Sequence, residues 1–229
     1  MTQLTIGFCG ADDQTNILEM INLSNKYNNI EWGILFHPKK TESNRYPSQT
    51  FVKKLGKTAL PLAGHLCGAY CSQVLQGDTS FVKSLDKFRR IQVNATIEND
   101  VEFNLNNATD GLAKSIKTCP EIEWILQYNT QTKDLCRAIL SKELPNVSIL
   151  YDASCGTGLT ISSFENTEKY NKVGFAGGIS NTNIVSIVNQ VQKETECQWI
   201  DMESGVRTND NFDIEKCESC MKQINGNTI

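Results

Sequence analysis

Eight short apolar segments recur along the 229-residue chain, and stretches with a helical spacing of apolar residues separate them. Apolar residues three and four positions apart, such as Ile184, Ile187, Val188 and Val191, are typical of amphipathic helices. Strands that alternate with helices pair in parallel, because the helix supplies the crossover connection. The eight segments are residues 4–8, 31–36, 60–66, 90–94, 122–126, 147–152, 172–176 and 198–202.

Eight such units predict an α/β fold, a single-domain (β/α)8 TIM barrel over residues 1–229. The alternative is an open doubly wound sheet, which usually has fewer strands and a G-x-G-x-x-G turn after the first one. Here C-G-A-D-D (9–13) follows the first segment, so that motif is absent. Residues 96–107 form the least regular stretch, and we expect a loop or a short insertion there.

Charge and hydropathy exclude several classes of partner. With 22 Lys and Arg against 26 Asp and Glu, the chain has no broad basic field for nucleic acid. No apolar run approaches the roughly 18–20 residues that cross a bilayer, and the first residues lack a basic, apolar leader. We therefore expect a cytoplasmic protein without membrane contact.

The nine cysteines, an odd number, favour reduced thiols over a disulfide framework. Cys217 and Cys220 form the one C-x-x-C pair in the chain. With only two histidines available, a structural zinc site built on this pair lacks ligands. We expect no metal there.

The active site of a (β/α)8 barrel lies at the carboxyl ends of its strands, so the residues that follow each strand are candidate reactants. Small residues follow the last two strands, in F-A-G-G-I-S (175–180) and D-M-E-S-G-V-R (201–207). Glycine turns let backbone N–H groups approach an anion, and a helix N-terminus adds its dipole. A Gly-Gly turn alone is usually a tight loop, but two adjacent turns favour a phosphate site. The other polar or reactive strand ends are Cys9, His37, Lys39, Lys40, Arg45, His65, Cys67, Gln92, Asn94, Gln127, Asn129, Asp152, Asp201 and Glu203.

Five motifs resemble those of the phosphoribosylanthranilate isomerase family of tryptophan biosynthesis, in the same order along nearly the whole chain. The resemblance implies a (β/α)8 barrel that uses no cofactor and no metal. It also implies an Amadori rearrangement, in which the furanose of an N-(phosphoribosyl)amine opens to a Schiff base and becomes a 1-amino-1-deoxyketose. The motifs are I-G-F-C-G (6–10), F-H-P-K-K-T-E-S-N-R-Y-P-S (36–48), D-A-S-C-G-T-G (152–158), A-G-G-I-S-N-T-N-I (176–184) and D-M-E-S-G-V-R (201–207).

The resemblance implies a role for each matching residue. Cys9 is the general base for the C2 proton, Asp152 is the general acid for the ring oxygen, and Arg45 binds the aromatic carboxylate. A thiol in a positively polarised pocket can have a lowered pKa, and a carboxyl in an apolar barrel mouth a raised one. The residues that match the phosphate-binding turns are Gly177, Gly178, Ser204 and Gly205.

Each of these residues alone has a structural interpretation. Cysteine is often buried in a core, an aspartate often caps a helix, and an arginine in a polar loop is usually a solvated charge. The occurrence of Cys9, Asp152 and Arg45 together at the expected strands favours catalysis.

The chain departs from the family pattern at strands 3 to 5. His65 and Cys67 lie near the end of strand 3, Asn94 replaces an expected histidine, and Gln127 ends strand 5. His65 is either a substrate-binding or acid–base group or a packed histidine. Three functions therefore remain: the isomerase, a related barrel for another phosphorylated ligand, and a non-catalytic phospholigand-binding barrel. We expect a phosphorylated small molecule as partner, with monomer and homodimer both open.

Overall fold

Eight parallel strands close into a barrel in the computed structural model, which describes residues 4–152, 172–194 and 197–226. Each strand pairs with the next along the chain, and the last pairs with the first. All eight predicted segments become barrel strands with bounds within two residues, so the (β/α)8 prediction is confirmed. The strands are β1 (Thr5–Cys9), β2 (Ile30–Phe36), β3 (Leu62–Leu66), β4 (Arg90–Val93), β5 (Glu123–Tyr128), β6 (Val147–Asp152), β7 (Val173–Ala176) and β8 (Trp199–Met202).

Helices connect the strands and pack outside the barrel. Within the described ranges, one helix or a pair follows every strand except β6, whose following residues 153–171 lie outside the description. Most of the third sequence motif, residues 153–158, therefore lies outside it too. The helices are α1 (Ile17–Lys26), α2 (Gln49–Leu55), α3 (Gly68–Leu75), α4 (Ser80–Lys83), α5 (Leu105–Thr118), α6 (Lys133–Leu140), α7 (Ile184–Glu194) and α8 (Ile214–Gly226).

Alternation along the strands produces two cores. On β1, Ile6 and Phe8 belong to the large apolar cluster that includes the helices. Ile125, Leu150 and Trp199 form a separate small cluster. Burial of the large cluster holds the helices on the barrel. The residues of the small cluster alternate along their strands with residues of the large cluster.

A charged network occupies part of the barrel. The Arg90 guanidinium donates to Glu31 at 2.6 Å and to Glu123 at 3.2 Å, and it lies 4.3 Å from the Trp199 ring centroid. Ser148 donates to Glu123 at 2.7 Å. Arg90 thus offsets part of the cost of burying both carboxylates, although burial still raises the pKa of Glu31.

Two local features differ from the sequence prediction. Within residues 96–107 the chain forms a 3-10 helix (Ile97–Asn99), and α5 already begins at Leu105. The Asn104 side chain accepts the Asn107 N–H at 3.2 Å and caps that helix. The expected loop is thus partly wrong, because the first turn of α5 is polar and carries no apolar spacing. An antiparallel hairpin, β9 (Arg207–Thr208) and β10 (Asn211–Phe212), also precedes α8.

In the described ranges, no helix is long and apolar enough to cross a membrane. The eight cysteines in those ranges are free thiols. Cys217 and Cys220 are fully buried on α8 within the large apolar cluster, so this C-x-x-C pair packs against the barrel.

Candidate active site

A cavity of about 260 Å³ opens at the carboxyl ends of the strands. Every strand, or the loop that follows it, contributes to the wall. The residues with a role predicted from sequence that lie in the wall are Cys9, Arg45, His65, Asp152, Gly177, Gly178 and Ser204. Of the other polar strand ends named from sequence, those in the wall are Gln92, Asn94, Gln127, Asp201 and Glu203. The remaining wall residues are Leu35, Tyr46, Glu98, Asn99, Leu150, Ala176, Ile179 and Met202.

Cys9, His65 and Asp201 meet in this wall. The thiol sulfur, an imidazole nitrogen and a carboxylate oxygen all lie within 4.8 Å of one another, and all three residues are buried. Gly33 of β2 lies between them. A Cβ on Gly33 would lie 2.5 Å from Cys9 Sγ and 2.9 Å from His65 Nε2, so a glycine is required there for the two side chains to converge.

The charge environment of Cys9 is opposite to the one expected. Burial, together with the carboxylates of Asp201, Glu203 and Glu31, raises the pKa of the Cys9 thiol well above its usual value. Burial and the neighbouring charges therefore act against the lowered pKa that the sequence allowed for this thiol. Anionic side chains, rather than a positively polarised pocket, surround the sulfur.

The two neighbours of Cys9 have shifted pKa values as well. Burial, together with the charge of Glu31, raises the pKa of Asp201 to about 7, although Arg90 opposes this shift. Burial, with a smaller contribution from Arg90, lowers the pKa of His65 to about 3. His65 is therefore neutral at physiological pH and offers one nitrogen lone pair.

Asp152 ends β6 in the cavity wall. Gln127 Nε2 donates a hydrogen bond to Asp152 Oδ2 at 2.7 Å, and Gln92 Nε2 donates to Asn94 Oδ1 at 2.8 Å. The Oε1 atoms of both glutamines are buried and have no hydrogen-bond partner among the described residues. These two oxygens can accept hydrogen bonds from a bound ligand.

Arg45 reaches the cavity from the loop after β2. Its guanidinium donates to Glu203 at 2.7 Å and to Asp210 at 2.8 Å. Hydrogen bonds from Arg45 and Asn44 hold the pKa of Asp210 at about 2. The backbone of Arg45 has a positive φ of 78°. The Arg45 N–H donates to Asp12 Oδ2 at 3.0 Å, which fixes the loop in this unusual conformation.

Arg207, in the last sequence motif, supports the same loop. This buried guanidinium donates to the Gly10 carbonyl at 2.8 Å and to Asp12 Oδ2 at 3.4 Å. Asp12 therefore links Arg207 to the Arg45 backbone. Neither Asp12 nor Arg207 has a role predicted from sequence, although Arg207 is the last residue of the motif D-M-E-S-G-V-R (201–207).

The turns after β7 and β8 face the same side of the cavity. Gly177 and Gly178 have φ values of 115° and 60°, a region that favours glycine. Asn183, just before α7, accepts from Ser180 N and donates to the Gly178 carbonyl, each at 2.8 Å. This hydrogen-bonded turn leads directly into the N-terminus of α7.

Gly205 lies behind the cavity wall and not in it. It forms a parallel bridge with Ser180, and a Cβ at this position would overlap the Ile179 carbonyl oxygen. Gly205 thus joins the two turns, while Gly177, Gly178 and Ser204 face the cavity.

Residues 114–223 match the sequence model of the family described as N-(5'phosphoribosyl)anthranilate (PRA) isomerase. That stretch begins in α5 and runs through β5 to β8 and into α8. No curated protein matches the sequence.

Several solved structures share the fold. A phosphoribosylanthranilate isomerase from Thermotoga maritima, described as monomers generated from a dimeric enzyme, is 18% identical with a TM-score of 0.62; the match covers 98% of this chain and 100% of that one. The Pyrococcus furiosus N-(5'-phosphoribosyl)anthranilate isomerase is 14% identical with a TM-score of 0.58, over 98% of this chain and 100% of that one.

A structure with a different chemistry is also similar. The phospho-2-dehydro-3-deoxyheptonate aldolase of Thermotoga maritima is 10% identical with a TM-score of 0.58, over 98% of this chain and 68% of that one. At these identities the structural likeness shows the barrel fold alone.

Proposed function

We infer that the chain belongs to the N-(5'-phosphoribosyl)anthranilate isomerase family, whose sequence model its residues 114–223 match, and we propose that it catalyses the family's Amadori rearrangement. The observation that carries the proposal is the presence of Cys9, Arg45 and Asp152 in one cavity wall, together with glycine turns after β7 and β8. The substrate is N-(5-phosphoribosyl)anthranilate, and the product is the corresponding 1-amino-1-deoxyribulose phosphate.

Asp152 is the general acid in this proposal. Its carboxyl protonates the furanose ring oxygen, which opens the ring to a Schiff base. Gln127 holds one carboxylate oxygen through its 2.7 Å hydrogen bond and thereby fixes the carboxyl group in the cavity wall. Asp152 is 7% exposed, so it is sheltered from bulk water while it faces the ligand.

Cys9 is the general base that removes the C2 proton. Because its raised pKa keeps the thiol protonated, Cys9 must lose its proton before it acts. The Asp201 carboxylate lies within 4.8 Å of the sulfur and is the nearby acceptor for that proton. Positive charge on the Schiff base favours the thiolate when substrate is bound, since an adjacent cation stabilises the ionised form.

Arg45 binds the carboxylate of the anthranilate ring. A guanidinium can form two parallel hydrogen bonds to a carboxylate, and Arg45 already donates to the carboxylates of Glu203 and Asp210. The phosphate lies at Gly177, Gly178 and Ser204, with Gly205 as the residue that joins the two turns. The N-terminus of α7 adds its dipole to this end of the cavity.

His65 binds the substrate rather than transferring a proton. With a pKa of about 3, the imidazole stays neutral and offers an acceptor or a donor nitrogen near Cys9. The unpartnered oxygens of Gln92 and Gln127 offer further acceptors to the sugar hydroxyls.

We place the reaction in the cytoplasm, in keeping with the eight free thiols of the described ranges. One barrel supplies every proposed site residue, so the enzyme works as a monomer or as a homodimer. The Thermotoga maritima isomerase, described as dimeric in origin, provides the precedent for both forms.

The test is turnover of freshly prepared phosphoribosylanthranilate, followed by the loss of substrate fluorescence. We expect turnover in the native protein and a loss of about 10²–10⁴-fold in kcat in Cys9→Ser, the range that a positioned general base contributes. Cys67→Ser is the matched control. Cys67 is not a wall residue; its sulfur lies behind the wall residues Asn99 and Asn94, and kcat should change little.

A second candidate is a barrel for another phosphorylated sugar or small ligand, because polar His65, Gln92, Asn94 and Gln127 surround the space for the sugar and ring. Native protein that is folded but turns over no phosphoribosylanthranilate would favour it. Unchanged turnover in Cys9→Ser would rule out Cys9 as the base.

A further inference from the structure

Three metal-ligating side chains converge from distant parts of the sequence. Cys9 on β1, His65 on β3 and Asp201 on β8 place their ligating atoms within 4.8 Å of one another. All three side chains are buried, with 2%, 4% and 7% of their surfaces exposed. Among the described residues, no other group of three or more cysteine, histidine and acidic side chains meets this distance.

Glycines on the neighbouring strands make room for this cluster. A Cβ on Gly7 would overlap Asp201 Oδ1, and a Cβ on Gly33 would lie 2.5 Å from Cys9 Sγ. The three side chains therefore pack directly against the backbone of glycine residues, where no Cβ intervenes. None of the hydrogen bonds among the described residues occupies the thiol, the imidazole or the Asp201 carboxylate, so all three can turn toward a ligand.

The surrounding charge favours a cation. Four carboxylates line the described part of the cavity, those of Glu98, Asp152, Asp201 and Glu203, against the single guanidinium of Arg45. Arg45 is in turn paired with Glu203 at 2.7 Å. The excess of carboxylates in the cavity wall therefore attracts a positive ion.

The donor set selects the kind of ion. A thiolate, an imidazole and a carboxylate match the ligands that Zn²⁺ and related first-row ions accept, whereas Mg²⁺ and Ca²⁺ require oxygen ligands. At bond lengths of about 2.0–2.3 Å, tetrahedral ligand atoms lie roughly 3.5 Å apart. The limit of 4.8 Å exceeds this separation by about 1 Å, so the three side chains must move together by that amount when the ion binds.

We propose that Cys9, His65 and Asp201 form a binding site for a divalent transition-metal ion of the Zn²⁺ type in the wall of the barrel cavity. On binding, the Cys9 thiol releases its proton to solvent, and the sulfur lone pair forms the bond to the metal without any change in oxidation state. The ion occupies the thiol that the isomerase reaction uses, so it inhibits turnover. The inhibition rests on the proposed function, whereas the metal site does not.

Co²⁺ is the probe for this site, because a thiolate bound to Co²⁺ produces a near-ultraviolet charge-transfer band. The protein is stripped with a chelator, kept reduced with a phosphine and titrated with Co²⁺. We expect one equivalent to bind, the band to grow with it, and one equivalent of Zn²⁺ to remove it. Absence of a saturable band at one equivalent would overturn the proposal.

Variants identify the ligands. Cys9→Ser should lose the band, whereas His65→Gln and Asp201→Asn should keep a band but bind Co²⁺ at least about 10-fold more weakly, since even indirect support of a ligand contributes that much. Cys67→Ser, with all three ligands intact, should bind like the native protein. A band that survives in Cys9→Ser, or is lost in Cys67→Ser, would place the metal elsewhere. Near-ultraviolet circular dichroism confirms that each variant is folded.

The same preparations separate this proposal from the isomerase. Turnover of the stripped protein without a Co²⁺ band would refute the metal site and retain the enzyme. A stoichiometric band that depends on Cys9, without turnover in the stripped protein, would retain the metal site and refute the enzyme. If the stripped protein turns over substrate and also gives a Co²⁺ band that depends on Cys9, Zn²⁺ should inhibit turnover at the concentration that displaces Co²⁺.

Discussion

The Arg45 guanidinium donates a hydrogen bond to the Glu203 carboxylate at 2.7 Å across the mouth of the barrel. The cation proposed to bind the substrate carboxylate is therefore already paired with a carboxylate of the protein. Asp210 occupies the other side of the same guanidinium at 2.8 Å. A substrate carboxylate has to displace at least one of these two anions before it forms a bidentate pair.

Removal of the Glu203 charge should strengthen substrate binding. We expect Glu203→Gln to lower KM by about 2- to 5-fold, because a partly exposed ion pair contributes about 0.2–1 kcal/mol. Steady-state kinetics with phosphoribosylanthranilate measure this change. Glu218→Gln, which removes an exposed partner of Lys26 on α8, is the control and should leave KM unchanged. A higher KM in Glu203→Gln would show that Glu203 helps to hold the substrate.

Substitution of Asp152 should affect the chemical step. Asp152→Asn keeps the shape of the side chain but cannot donate a proton to the ring oxygen, so kcat should fall by about 10²–10⁴-fold while KM changes little. Asp110→Asn removes an exposed carboxylate from α5 and is the control. Equal losses in kcat for both variants, or native kcat in Asp152→Asn, would contradict the assignment of Asp152 as the acid.

Gly33 should be intolerant of even one additional carbon. An alanine Cβ there would lie 2.5 Å from Cys9 Sγ and 2.9 Å from His65 Nε2, so both side chains must shift. We expect Gly33→Ala to lower kcat at least about 10-fold and to reduce the free energy of unfolding by about 1–3 kcal/mol, the cost of overpacking.

Gly56→Ala is the matched control for Gly33→Ala. Gly56 has right-handed helical geometry, and a Cβ there would meet no atom closer than 3.6 Å. This variant should keep native kcat and be as stable as the native protein or slightly more so. Native kcat in Gly33→Ala would show that the position of Cys9 is not critical for turnover.

The strands that carry the site residues could be predicted from the sequence for a physical reason. Strands buried on both faces are read directly from apolar runs, and the barrel then brings their carboxyl ends together. Cys9 and Asp152 end β1 and β6, and Arg45 follows β2, as the motifs predicted. Their presence in one cavity wall follows from the topology alone.

The electrostatics of the site could not be predicted in the same way. The pKa of Cys9 depends on Asp201, Glu203 and Glu31, which come from other strands and act through space. The pairing of Arg45 with Asp210 likewise depends on the hairpin of β9 and β10, which has no clear pattern in the sequence. Spacing along the chain indicates which residues reach the cavity, but not which charges they meet there.

The buried Asp201 carboxyl should make stability depend on pH. Burial and the charge of Glu31, with smaller contributions from Asp152 and Glu203, raise its pKa to about 7 against the opposing charge of Arg90, whereas the unfolded chain has a value of about 3.9. Between these two values the folded state holds a proton that the unfolded state has lost. Raising the pH through this window therefore favours unfolding, and the effect is complete above pH 7.

Asp201→Asn should remove that pH dependence. We expect the free energy of unfolding of the variant relative to the native protein to rise by about 1–3 kcal/mol from pH 5 to pH 8, since one pKa unit corresponds to about 1.4 kcal/mol. Urea unfolding at both pH values, with a chelator present so that no metal binds Asp201, measures it. Asp110→Asn, which removes an exposed carboxylate, should retain the native slope. A native slope in Asp201→Asn would mean that another group carries the proton, and the burial of Asp201 would then be compensated by Arg90.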